Sequence, residues 1–160
     1  MSAARVWQYR VSRFLGRLIT RTAAVLTLGR MPPFVSTSAI VVDDGRLLAV
    51  VDPIRKEAVL PGGHLTWRES PQHAVVREVR EETGCEIDVD SLFGVFSGQE
   101  WTGERGVVRV VYTAHVTGGY LASSAEGHAI WTSPQGLAHS STRDAPLIRT
   151  WISVQEQERT

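Results

Sequence analysis

The chain has 160 residues, enough for one domain with a full hydrophobic core and no staples. Its 17 basic and 17 acidic side chains cancel, which removes the bulk electrostatic case for a nucleic-acid partner. The single cysteine, Cys85, excludes an internal disulfide framework, fits a reducing cytoplasmic setting and reads as a small buried apolar residue; no apolar run is long enough to span a membrane.

Residues 1–33 differ in composition from the rest of the chain. Arg5, Arg10, Arg13, Arg17, Arg21 and Arg30 stand in a stretch with no acid before Asp43. Val11, Phe14, Leu15, Leu18, Ile19, Val25 and Leu26 recur at helical spacing on the other side, which predicts an amphipathic basic helix. Its apolar side is expected to pack on the domain or on a second subunit, the latter giving a homodimer. Contact with a membrane surface and a targeting role are the alternatives. Pro32 and Pro33 end this extension, because proline cannot continue a helix. Residues 34–160 are expected to form the main domain.

Residues 35–42 are rich in β-branched side chains and predict a strand. Asp43-Asp44-Gly45-Arg46 predicts a hairpin turn into a second strand over 47–51. A loop follows with Arg55 and Lys56, candidates for meeting a substrate phosphate or for plain solvated charge. A short strand at Val59-Leu60 delivers Pro61-Gly62-Gly63. Ser70 and Pro71 then predict a helix start, an N-cap hydroxyl before a proline at the first helical position. Gly84 predicts its left-handed stop. Residues 85–89 and 92–97 predict two strands, 99–106 a polar loop, and 107–116 a long strand turned by Thr117-Gly118-Gly119. A short strand at 129–132, a turn or helix from Ser133-Pro134, and a C-terminal helix from Asp144-Ala145-Pro146 complete the chain.

The helix after Ser70 carries the chemistry. Glu78, Glu81 and Glu82 lie at i, i+3 and i+4, so all three carboxylates leave one face. Like charges at this spacing repel, and the C-terminal end of a helix favours cations instead. A hard divalent cation would relieve the repulsion; Mg²⁺ takes carboxylate oxygens, keeps several waters and bridges to substrate phosphates.

With Gly63 and Glu69 upstream and Arg77, Val79, Gly84 and Cys85 around the acids, the stretch resembles the Nudix box: G, five residues, E, seven residues, R-E-hydrophobic-x-E-E-x-G-hydrophobic. The resemblance implies a Nudix-type α/β/α sandwich with a mixed sheet over residues 34–160. It implies a Mg²⁺- or Mn²⁺-dependent pyrophosphohydrolase acting on a nucleoside diphosphate linked to another moiety: a nucleoside triphosphate, a modified nucleotide or a nucleotide sugar. By the same resemblance Glu78 and Glu82 are the principal metal ligands. Glu81 binds a further metal or helps deprotonate water. Gly63 offers a backbone carbonyl to the metal, and Arg77 pairs with Glu69 to hold the loop against the helix. Glu126, shortly before Trp131, falls where related hydrolases carry an additional acidic ligand or base, and Glu100 and Glu104 fall where others keep a catalytic base.

Trp67 and Trp101 are aromatic candidates for stacking on a base, with burial as the plainer alternative. The box departs from its commonest form at Thr66-Trp67-Arg68, where Arg68 replaces a glycine and a reshaped loop is expected. Two rival readings are a non-catalytic nucleotide-sensing domain and a membrane-surface protein whose nucleotide domain is regulatory.

Overall fold

The computed structural model describes residues 32–122, 124 and 127–159. The helix expected across residues 1–33 lies outside the described residues apart from Pro32 and Pro33, and Glu126 also lies outside them.

In chain order the elements are Phe34–Asp43 (β1), Arg46–Val51 (β2), Ala58–Val59 (β3), Pro71–Thr83 (α1), Cys85–Ser97 (β4), Gln99–Thr102 (α2), Val107–Gly119 (β5), His128–Thr132 (β6), Pro134–Ala138 (α3) and Ala145–Glu158 (α4). The sheet runs β3-β2-β1-β5-β4, with β6 also on β2. The β1–β5 pairing is parallel and the others are antiparallel, so the sheet is mixed. The β1–β2 turn uses Asp44 and Gly45 at φ of 47° and 71°, left-handed at both central positions, which suits the right-handed twist of a hairpin.

Alternation along the strands divides the core in two. Ala39, Val41 and Leu48 point to one face and meet Val75 and Val79 of α1 together with Cys85 and Ile87. Ile40, Leu47 and Val111 point to the other and meet Leu137, Leu147 and Ile148 of α3 and α4. Helices on both faces make this an α/β/α sandwich. Burying each of Val75 and Val79, both fully enclosed, contributes roughly 1.5–3 kcal/mol relative to exposure.

Three expectations change. The two strands expected over 85–89 and 92–97 are one strand, β4, whose register against β5 shifts between Glu86/Ile87, Val89/Ser91 and Leu92/Gly94. Bulges absorb the polar Asp90-Ser91 step without ending the pairing. Thr117-Gly118-Gly119 does not turn the chain but extends β5, with Gly118 opposite Glu86 and Gly119 opposite Cys85. A Cβ on Gly119 would stand 2.3 Å from the Gly84 carbonyl, so the glycine allows two backbones to meet closely. Part of the polar loop expected over 99–106 is the single helical turn α2.

Candidate active site

The helix α1 begins and ends as its sequence predicts. Ser70 Oγ accepts the His73 N–H, Pro71 opens the helix, and Gly84 closes it at φ 75° with its N–H on the Arg80 carbonyl. Ala74, Val75 and Val79 fix the inward side, and that choice turns Glu78 and Glu82 toward residues 62–63.

Residues 61–65 run beside β1. The N–H of Ala39 donates to the Pro61 carbonyl (3.1 Å), that of Thr37 to the Gly63 carbonyl (2.8 Å), and Val35 accepts from the Leu65 N–H (3.2 Å). This two-residue repeat is strand pairing, and it holds the glycine turn rigidly under α1. The Gly62 N–H donates to Glu82 Oε2 at 2.8 Å. A Cβ on Gly63 would sit 2.4 Å from Glu78 Oε1, so the Glu78 carboxylate rests against bare backbone. Two carboxylates one helical turn apart therefore flank a backbone turn.

Arg77 gathers the rest. Its Nε and Nη2 donate to Glu69 Oε1 and Oε2, both at 2.9 Å. Its Nη1 donates to Glu78 Oε1 at 2.9 Å and reaches Glu81 Oε2 at 3.4 Å. One planar guanidinium thus offsets part of the repulsion among the helix acids. Glu69 Oε2 also accepts from Thr66 N–H and Oγ–H at 3.0 and 2.8 Å. The Arg77 hydrogen bond and then the Thr66 N–H hold the Glu69 carboxyl down at about 2, below an ordinary 4.5, against the opposing effect of burial. The Glu69 hydrogen bond raises the Arg77 pKa, with burial opposing and Glu78 assisting. Glu78 is only 13% exposed whereas Glu81 is 61% exposed, so Glu81 is the acid that solvent reaches.

Gly63, Glu69, Arg77, Glu78, Glu81 and Glu82 are therefore one constellation. Trp67 stands in solvent, 91% exposed, at the tip of the box loop. Trp101 packs on Phe96 at 5.1 Å in the cluster under α4. Arg55 is exposed in its loop, its N–H donating to Asp52 Oδ1. Glu100 is exposed on α2. Arg68, where the commonest box has a glycine, takes φ 70°, the left-handed conformation that a glycine adopts without steric cost.

Sequence reasoning missed two groups. Gly62 supplies the N–H that Glu82 accepts, and only its place beside Gly63 hinted at a role. Arg109 and Asp144, 5% and 0% exposed, form a buried ion pair. Burial pushes the Asp144 carboxyl up, but the Arg109 charge and hydrogen bonds, Arg143 and the Leu60 N–H outweigh it and hold the group below its ordinary value. The signal in the sequence was a lone arginine inside the apolar run Val107-Val108-Arg109-Val110-Val111.

A family model described as the NUDIX domain matches residues 32–152. A MutT-like protein of Streptomyces ambofaciens is 40% identical over 111 residues, covering 67% of this chain and 70% of that one. An ADP-ribose pyrophosphatase of Methanocaldococcus jannaschii is 35% identical over 92 residues, 56% of this chain and 54% of that one, so the chain spans about half of that relative. The crystal structure of a MutT NUDIX hydrolase from Burkholderia pseudomallei superposes with a TM-score of 0.62 at 27% identity, covering 74% of this chain and 96% of that one. With the family's model matching most of this chain and the box residues gathered on one helix and one turn, the chain belongs to the NUDIX family and is a Nudix hydrolase.

Proposed function

We propose that the protein is a divalent-metal-dependent pyrophosphohydrolase that cleaves a nucleoside diphosphate linked to another moiety. The observation that carries this is the pair Glu78 and Glu82, one helical turn apart, set against the backbone of Gly63 and the Gly62 N–H. A relative named ADP-ribose pyrophosphatase supports the substrate class.

The donor set suits Mg²⁺ or Mn²⁺. Among the described residues no three acid, imidazole or thiol side chains converge closely enough to cage an ion. Mg²⁺ needs no such cage, because it keeps several waters and takes one or two carboxylates plus phosphate oxygens. Glu78 and Glu82 would hold it. The Gly63 carbonyl accepts the Thr37 N–H with one lone pair and keeps a second. A bound divalent ion supplies charge neutralisation at the pyrophosphate and an acidified water. Glu81, the exposed acid beside the pair, takes a proton or a further ion. Arg77 and Glu69 lock the box loop to α1, so the carboxylates meet substrate already oriented.

The test is a nucleotide panel assayed for released phosphate, pyrophosphate and nucleoside monophosphate. Hydrolysis is expected with Mg²⁺ or Mn²⁺ and is expected to vanish in excess EDTA. Undiminished turnover in EDTA would remove the reading, and no turnover on any linked nucleoside diphosphate would favour a sensing domain.

A further inference from the structure

A buried ion pair on the far side of the sheet is wired to the glycine turn. Asp144 precedes α4, yet its side chain makes no cap bond to that helix. It turns inward. Arg109 Nη1 donates to Oδ1, while Oδ2 accepts the Leu60 N–H at 2.7 Å and Arg109 Nη2 at 3.3 Å. Arg109 Nε donates to Ser38 Oγ at 2.8 Å, and Ser38 Oγ–H donates to the Thr37 carbonyl at 2.8 Å.

Both branches end on the same few residues. Leu60 leads directly into Pro61-Gly62-Gly63, and Thr37 is the β1 residue whose N–H binds the Gly63 carbonyl. The fit around the turn is tight. A Cβ on Gly62 would stand 2.1 Å from the Thr37 carbonyl and 2.6 Å from Ser38 Oγ. A small shift at Leu60 therefore moves the Gly62 N–H, which donates to Glu82.

A buried charge pair is a poor way to gain stability. Its desolvation cost rivals its Coulombic gain, and well-packed apolar side chains do as well or better. A hydrophobic pair would nevertheless leave the Leu60 N–H without its acceptor.

We propose that Asp144, held by Arg109, is a positioning residue for the glycine turn: its carboxylate fixes the Leu60 N–H and so sets where the Gly62 N–H meets Glu82. The inference rests on the proposed role of Glu82 as a metal ligand. Neither residue touches substrate; their effect reaches the site through the backbone.

The experiment compares R109M/D144L with R109M/D144N. Both remove the Arg109 and Asp144 charges together, so neither of the two is left buried alone, and Arg143, 3.9 Å from Asp144 and 33% exposed, loses the same neighbour in both variants. Only the asparagine keeps an oxygen for Leu60. Mn²⁺ affinity is measured by titration calorimetry, amide hydrogen exchange at Gly62 by NMR without metal or nucleotide, and melting in parallel. R109M/D144L is expected to bind Mn²⁺ about tenfold or more weakly, the usual size of an outer-shell effect, and to exchange Gly62 faster. R109M/D144N is expected to restore both. Equal Mn²⁺ affinity and equal Gly62 exchange in the two variants would overturn the proposal and leave a purely structural pair. If R109M/D144L does not fold, R109M/D144A, which also lacks the oxygen for Leu60, takes its place: weaker Mn²⁺ binding and faster Gly62 exchange than in R109M/D144N support the proposal, and equality overturns it. A wild-type chain that hydrolyses nothing refutes the proposed function, while the metal-free exchange comparison still judges this inference.

Discussion

The Arg77 guanidinium meets both oxygens of Glu69, Nε on Oε1 and Nη2 on Oε2, each at 2.9 Å. This fork ties the residue just before the N-cap of α1 to the middle of the helix, and so the box loop to α1. E69Q and R77Q should each lower kcat by about 10- to 100-fold, the range for groups that orient ligands. The double variant should lose less than the product of the two, because the residues act as a unit. Full additivity in that cycle would show that they act separately.

The same fork has a pH signature. The Glu69 carboxyl sits at about 2 in the folded chain against an ordinary 4.5. A depressed carboxyl adds stability that is whole above its unfolded value and lost as pH falls through its folded one. Melting temperatures of wild type and E69Q should therefore converge as pH falls from 4.5 toward 2. An NMR titration of Glu69 with a midpoint at or above its ordinary value would show that the fork does not hold in solution.

Glu82→Gln should be the most damaging single change on the helix. It keeps side-chain size and an oxygen for the Gly62 N–H, so the fold should persist. Relief of the i,i+4 repulsion with Glu78 should leave the metal-free melting temperature equal to or slightly above wild type. Loss of the metal-borne charge stabilisation should cost on the order of a thousandfold in turnover. A variant that keeps more than about a tenth of wild-type turnover at saturating Mg²⁺, a loss under roughly 1.4 kcal/mol, would show that α1 does not hold the metal.

The two glycines of the turn should fail differently when changed to alanine. At Gly63 the new Cβ meets the far end of the Glu78 side chain at 2.4 Å, which can rotate aside at the expense of its bond to Arg77. G63A should fold with nearly unchanged melting and lose activity, because the carboxylate displaced is the proposed metal ligand. At Gly62 the Cβ meets the Thr37 carbonyl at 2.1 Å, in a backbone at φ 150°. G62A should lose about 3 kcal/mol of stability or more. Equal melting temperatures for the two variants would contradict this packing.

Arg68→Gly tests the box loop. A non-glycine residue in the left-handed region, here at φ 70°, costs roughly 1–2 kcal/mol, partly offset because glycine loses more entropy on folding. R68G should raise the melting temperature by about 1–4 °C. A fall in scanning calorimetry would mean that the arginine side chain holds the loop through contacts of its own.

Local signals made α1 readable from the sequence. Ser70, Pro71 and Gly84 each act within one turn of their own position, and Glu78, Glu81 and Glu82 declare their shared face by spacing alone. The hairpin at Asp44-Gly45 was legible for the same reason. What could not be read depended on partners distant in sequence. Gly118 and Gly119 look like a turn until Glu86 and Cys85 lie opposite them. Asp90-Ser91 looks like a strand end until β5 tolerates the bulge. Asp144 looks like a helix cap until Arg109, deep in an apolar strand, claims its side chain. Trp67 and Trp101 carry the same residue type and separate only through packing, one in solvent and one on Phe96.

The acceptor for the Leu60 N–H arrives 84 residues later in the chain. A nascent chain that has left the ribosome through Cys85 carries the whole box, every glutamate in place, and still lacks Asp144. Even a fragment ending at β6 would pass for intact by its motif and be unfinished at the turn. The geometry around Glu82 is completed only when the segment leading into α4 emerges and docks, so termination between Cys85 and Asp144 yields a protein with the full signature and an unset site.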